Sequence, residues 1–150
     1  MAASMNEPPY TTEILRLAAS IPHLGRLENP DSEIELRSPT CGSRIRVGVR
    51  LDGRGRIVAL GQEIEACAFG QASAALMGAN AIGRGADELH GALGSFEQWL
   101  AGERGEPGDW PGLTALAPAR SRVGRHGAML LPFRALLAAT LAVDEARCSQ

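Results

Sequence analysis

One stretch constrains the fold more than any other: the residues from Arg44 to Ala66. Ile45, Val47, Val49 and Leu51 alternate with Arg44, Arg46, Gly48 and Arg50. A period of two in apolar character means a strand with one buried and one wet face. Asp52-Gly53-Arg54-Gly55 follows as a hairpin turn. The returning strand is predicted from about Arg56 to Ala66, with Val58, Leu60, Gln62, Ile64 and Ala66 on one face. A shorter alternation, at Ile34 and Leu36, ends at Ser38-Pro39. Three strands joined by connections this short pair antiparallel.

Helical patterning lies on either side. Thr11 or Thr12 can cap a helix striped by Ile14, Leu15, Leu17 and Ala18, which stops near Ile21-Pro22 because the residue before proline is driven out of the helical region. After Cys67, Ala72, Ala75, Leu76, Ala79 and Ile82 recur at helical spacing among small residues, implying close packing on the sheet. A further helix is predicted from Ala86 to Leu100. Gly102 to Gly112 is a Gly/Pro loop, Leu113 to Gly127 is irregular, and a last helix runs from about Leu131 to Arg147 with Pro132 in its first turn. Strands first and helices after predict an α+β fold: a small three-stranded antiparallel sheet with helices packed on one face. Arg44, Arg46 and Arg50 lie on the opposite, solvated face, where Glu63 and Glu65 can pair with Arg46 or Arg50. The whole of 1–150 is expected to form a single domain.

Composition narrows the functional classes. The formal charge of −2 argues against a nucleic-acid binder that works by broad phosphate neutralisation. All 15 basic residues are Arg, a compositional bias, and those between Arg104 and Arg147 suggest some solvated or partner-facing basic surface. Met1 to Tyr10 lacks the apolar core of a signal peptide. The apolar runs Ala128–Phe133 and Ala135–Val143 are each shorter than the roughly 20 residues that span a bilayer. Three cysteines, an odd count, fit a reducing cytoplasm and thiol or metal chemistry better than structural disulfides.

Two of those cysteines sit where the pattern breaks. Cys41 lies in the turn before the first strand of the hairpin, and Cys67 lies where the returning strand gives way to a helix. The hairpin crosses the sheet and comes back, so the two are expected at the same end of it. A thiol at a loop or a helix start is accessible and meets unpaired N–H groups that favour an anion. His126, just before the last helix, is the third candidate. Two Cys and one His could supply three ligands to Zn²⁺ or to cluster iron, leaving one position open. Against this stand plainer readings: cysteine as a small buried hydrophobe and histidine as a satisfied surface group. Cys148, near the C-terminus, is expected to be an incidental thiol, and His23 and His90 to be surface groups.

Pro39-Thr40-Cys41-Gly42 before an alternating strand, then Cys67 leading into Ala72-Ser73-Ala74-Ala75, resembles the U-type iron–sulfur cluster scaffold family, which includes IscU, SufU and the N-terminal domain of NifU. The resemblance extends from about Tyr10 to Ala142. It implies a scaffold or carrier, not an enzyme, that holds iron or a [2Fe–2S] cluster, or Zn²⁺, through Cys41, Cys67 and His126. It also implies sulfur received from a cysteine desulfurase and clusters passed to apo-proteins, with neither nucleic acid nor membrane as partner. Two departures are visible. The family's Asp two residues after the first cysteine is Ser43 here, and its third cysteine falls at Gly127, directly after His126. Either His126 completes the site, or assembly is weakened, or two protomers of a homodimer share one cluster. A persulfide acceptor that stores no cluster and a zinc-binding interaction module are the alternative functions.

Overall fold

The computed structural model describes residues 10–39 and 42–148. Its elements are α1 (Thr12–Ala18), β1 (Ser32–Arg37), β2 (Arg44–Leu51), β3 (Ile57–Glu65), α2 (Ala68–Asn80), α3 (Ala86–Leu100), the 3-10 turns Leu113–Ala119 and Val123–Arg125, and α4 (His126–Cys148). The three strands form one antiparallel sheet in the order β1-β2-β3. This is the α+β architecture expected, with helices on one face.

β2 is the middle strand, and Ile45, Val47 and Val49 are fully buried on it. The turn after it is built by Asp52, whose carboxylate accepts the backbone N–H groups of Arg54 (2.8 Å) and Arg56 (3.0 Å). Gly55 supplies the left-handed residue at φ +80°. The returning strand departs from simple alternation. Arg50 pairs with Ala59 but Leu51 pairs with Ile57, so Val58 is the extra residue of a bulge. Ile57 therefore takes the buried position, and Val58, expected inside, is 53 % exposed.

On the outer face, Gly48 of β2 lies opposite Gly61 of β3. A β-carbon on Gly61 would come within 2.6 Å of the Leu27 backbone nitrogen and 2.8 Å of the Gly25 carbonyl; one on Gly48 would touch Pro30 and Leu27. These glycines let the connection from α1 to β1 lie directly on the sheet. The same connection begins on the free border of β3, where His23 accepts from the Gln62 N–H and Gly25 donates to the Gln62 carbonyl. Further along that border, Ile57 exchanges hydrogen bonds with Gly83 and Arg84.

The inner face is covered by α4, which packs on β1, β2, α2 and α3. α4 starts at His126, five residues before the predicted start, so Pro132 stands inside it. Proline there withholds the N–H that Ala128 would otherwise receive; burial of Ala128 through Phe133 outweighs that loss. The run Val123–Cys148 is, by length and composition, apolar enough to cross a bilayer, which the separate apolar runs did not suggest. Burial of 67 % of its most apolar window makes it a core helix of this fold. α2 stops at Asn80, leaving Ile82 in the following turn at 47 % exposure instead of on the buried stripe. The small residues of α2 admit more than the sheet. A β-carbon at Gly70 would press on Ala128 of α4, and one at Gly78 on Pro22 and the buried Gln62 side chain. Gln62 donates to the Pro22 and Ala74 carbonyls and so ties β3 to α2 and to the connection that follows α1.

Candidate functional site

Arg44 and Glu65 are directly opposite each other at one end of the sheet, and their side chains form an ion pair. Two residues after Glu65 comes Cys67; immediately before Arg44 come Gly42 and Ser43. The Ser38 N–H donates to the Ser43 carbonyl at 2.8 Å, closing the β1–β2 connection. Cys41, in that connection, lies outside the described residues. Ser43, where the resemblance places an acid, is buried.

Cys67 is the N-cap of α2, with extended backbone (φ −66°, ψ 172°) and no capping bond from its side chain. Its carbonyl accepts from Gln71 N–H at 3.0 Å, and the Gln71 side chain donates to the Ala66 carbonyl at 2.9 Å. The strand-to-helix junction is thereby held on both sides of a half-buried cysteine. The first turn of α2 meets the first turn of α4: Gly70 lies against Ala128, and the Ser73 hydroxyl donates to the Met129 carbonyl. Two helix N-termini thus converge beside the sheet end, a setting that favours negative charge.

His126 opens α4. Its Nε2 lies 3.1 Å from the Ala119 carbonyl and 2.9 Å from that of Arg120. Both partners are acceptors, so Nε2 carries the proton, and in the neutral ring Nδ1 keeps its lone pair. A ring oriented by one N–H on a backbone carbonyl is the usual state of a histidine that ligates through its other nitrogen. Cys148 lies at the far end of the 23-residue α4, about 33 Å along the helix axis from His126. His23 and His90 are exposed, as expected. Among the described residues no three His, Cys, Asp or Glu side chains form a metal-sized group, so nothing among them singles out Zn²⁺.

The sheet end is flanked on its outer face by a charge ladder. Arg46 bridges Glu63 (2.7 Å) and Glu35 (3.4 Å). Glu65, by its hydrogen bond and then its charge, raises the Arg44 guanidinium above its ordinary value. Arg50, the other partner considered for Glu63 and Glu65, instead donates to the Glu28 carbonyl. Sequence patterning missed Ser73 and Gln71, the polar anchors of the junction; a Ser and a Gln among small helical residues were the only sign of them.

No family model and no curated protein matches the sequence. Solved structures do. The crystal structure of the N-terminal part of a nitrogen-fixing NifU-like protein from Brucella abortus matches with a TM-score of 0.83 and 30 % identity, over 90 % of this chain and 94 % of that one. The chain belongs to the U-type scaffold family. Two other structures share the fold of this U-type chain. A protein assigned as an iron–sulfur cluster assembly scaffold for the SUF system of Fervidobacterium islandicum AW-1 has a TM-score of 0.80 and 23 % identity, over 88 % of this chain and 96 % of its own. A hypothetical protein has a TM-score of 0.69 and 22 % identity, over 85 % and 93 %. The resemblance drawn from the two cysteine contexts is thus shown by the fold.

Proposed function

We propose that this U-type chain is an iron–sulfur cluster scaffold or carrier whose cargo is held by the thiolates of Cys41 and Cys67, with Nδ1 of His126 as a further ligand. The observation that carries the reading is the meeting of the first turns of α2 and α4 beside the Arg44–Glu65 sheet end. It brings the elements bearing Cys67 and His126 together, and Gly42, joined to Cys41 by one peptide bond, stands two residues before the neighbouring strand β2. Thiolates suit soft iron–sulfur cargo. With Ser43 and Gly127 replacing two family ligands, the set is incomplete, which favours release over storage. The chain works as one unit in a reducing cytoplasm, stoichiometrically and without turnover. Its sulfur comes from a cysteine desulfurase, and its cargo passes to apo-proteins.

Anaerobic reconstitution with ferrous iron and sulfide tests this. Wild-type protein should retain both, with thiolate-to-iron absorption in the visible. Cys41→Ser and Cys67→Ser should each lower retention about tenfold or more, and full retention in both variants sinks the proposal.

The half-buried, uncapped Cys67 also supports a second reading, a persulfide acceptor. Its thiolate attacks the outer sulfur of a donor's persulfide, the donor's S–S bond breaks, and the donor leaves as a thiolate. Mass spectrometry after incubation with desulfurase and cysteine should then show one added sulfur on Cys67 and no bound iron.

A further inference from the structure

The C-terminal end of α3 and the 3-10 turns before α4 enclose a shallow cleft of about 560 Å³, lined by Leu100, Gly102, Arg120, Ser121, Val123 and, at the start of α4, His126. The segment from Arg120 to His126, which supplies one wall, combines one strongly exposed apolar side chain with unpaired cations. Val123 is 75 % exposed. Arg122 and Arg125, on either side of it, are exposed and form no side-chain ion pair with any described residue. On the sheet and the loop before it the pattern differs: Arg26, Arg37, Arg44 and Arg46 each meet a glutamate. From Trp110 to Val143 the sequence holds four Arg and no Asp or Glu. On the α3 side, the exposed Glu103 follows the lining residue Gly102 in sequence.

Arg120 gives the cleft a fixed positive floor. Its guanidinium lies 5.0 Å from the centroid of the Trp99 ring and donates to the Trp99 (3.0 Å) and Arg104 (3.2 Å) carbonyls. A cation already held in place loses little freedom when an anion arrives.

We propose that this cleft docks an acidic peptide segment of a partner protein, one presenting an apolar side chain between carboxylates. The apolar side chain packs on Val123, and the carboxylates pair with Arg122 and Arg125 over the Arg120 floor. The complementary charge decides among occupants. Nucleic acid would find no stacking platform, because Trp99 and Trp110 are each only 3 % exposed. A membrane surface would gain only one exposed apolar anchor here. In a second copy of this chain the strand acids, such as Glu35 and Glu63, are already bound to arginines, and Glu13, Asp87 and Glu103 stand apart in sequence instead of flanking one apolar side chain.

The test titrates the full chain into a fluorescein-labelled Asp-Glu-Leu-Leu-Glu-Asp peptide by anisotropy, at low and high salt. Wild-type protein should bind and weaken with salt. The double variant Arg122→Glu/Arg125→Glu should bind about tenfold more weakly or worse, and the milder Arg122→Ala/Arg125→Ala should fall between, both with wild-type thermal melts. Val123→Ser, and a peptide with Ser in place of Leu, should each lose severalfold in affinity. Equal binding by the double variants, by a Lys-for-acid peptide or by the Ser peptide overturns the proposal. So does a silent peptide, whether or not single-stranded RNA, anionic vesicles or a second protomer binds at these residues instead.

Discussion

Gly127 occupies the first turn of α4, half-buried and one residue from His126. The family pattern places a third thiol at this position. Gly127→Cys should therefore lengthen cluster retention severalfold over wild type, measured as decay of visible absorbance against a chelator. Unchanged decay would mean that the first turn of α4 does not face the cargo. Cys148→Ser, about 33 Å further along α4, should leave the decay untouched. Cys67 was legible at this scale because it marks a change of period from two to 3.6, and such a change places a residue at a helix start. The orientation of His126 was not legible. It depends on the Ala119 and Arg120 carbonyls, which a fold of 3-10 turns brings back to the ring, and no local pattern encodes that return.

The glycine pair Gly48–Gly61 shows how an element can be shaped by what lies on it. Gly61→Ala should destabilise the protein by about 2 kcal/mol, because the added methyl meets backbone atoms of Gly25 and Leu27 that cannot rotate away. Gly53→Ala, in open space on the hairpin, should change stability by less than about 0.5 kcal/mol. Chemical denaturation of both variants checks the contrast. The strands themselves were readable from alternation, since Ile45, Val47 and Val49 must share a face. The bulge at Val58 was not, because one unpaired residue leaves the composition of the strand unchanged while reversing which side each residue takes. The start of α4 was misplaced for a related reason. Pro132 normally marks a first turn, and only the burial of Ala128 to Leu131 by α2 and the sheet reveals the earlier beginning.

The molecule closes on itself where Arg147, in the last turn of α4, donates to the Asp52 (2.8 Å) and Leu51 (3.2 Å) carbonyls of the hairpin. Asp52 adds a pH dependence to that corner. The N–H groups of Arg56 and then Arg54 hold its carboxyl below the ordinary value in the folded state. The unfolded chain therefore binds its proton first as pH falls. This contribution to stability is complete above the unfolded value, near 4, and fades as pH drops through the folded one. Asp52→Asn should remove that part of the slope, so the melting temperatures of variant and wild type should converge on acidification. Finally, the border of β3 carries a consequence for life in a crowded cell. With Gln62 engaged by His23 and Gly25, and Ile57 by Gly83 and Arg84, a neighbouring molecule finds the N–H and carbonyl of both residues already occupied on that strand. Strand addition at those positions would have to break bonds already made, so fibre growth along this border is disfavoured.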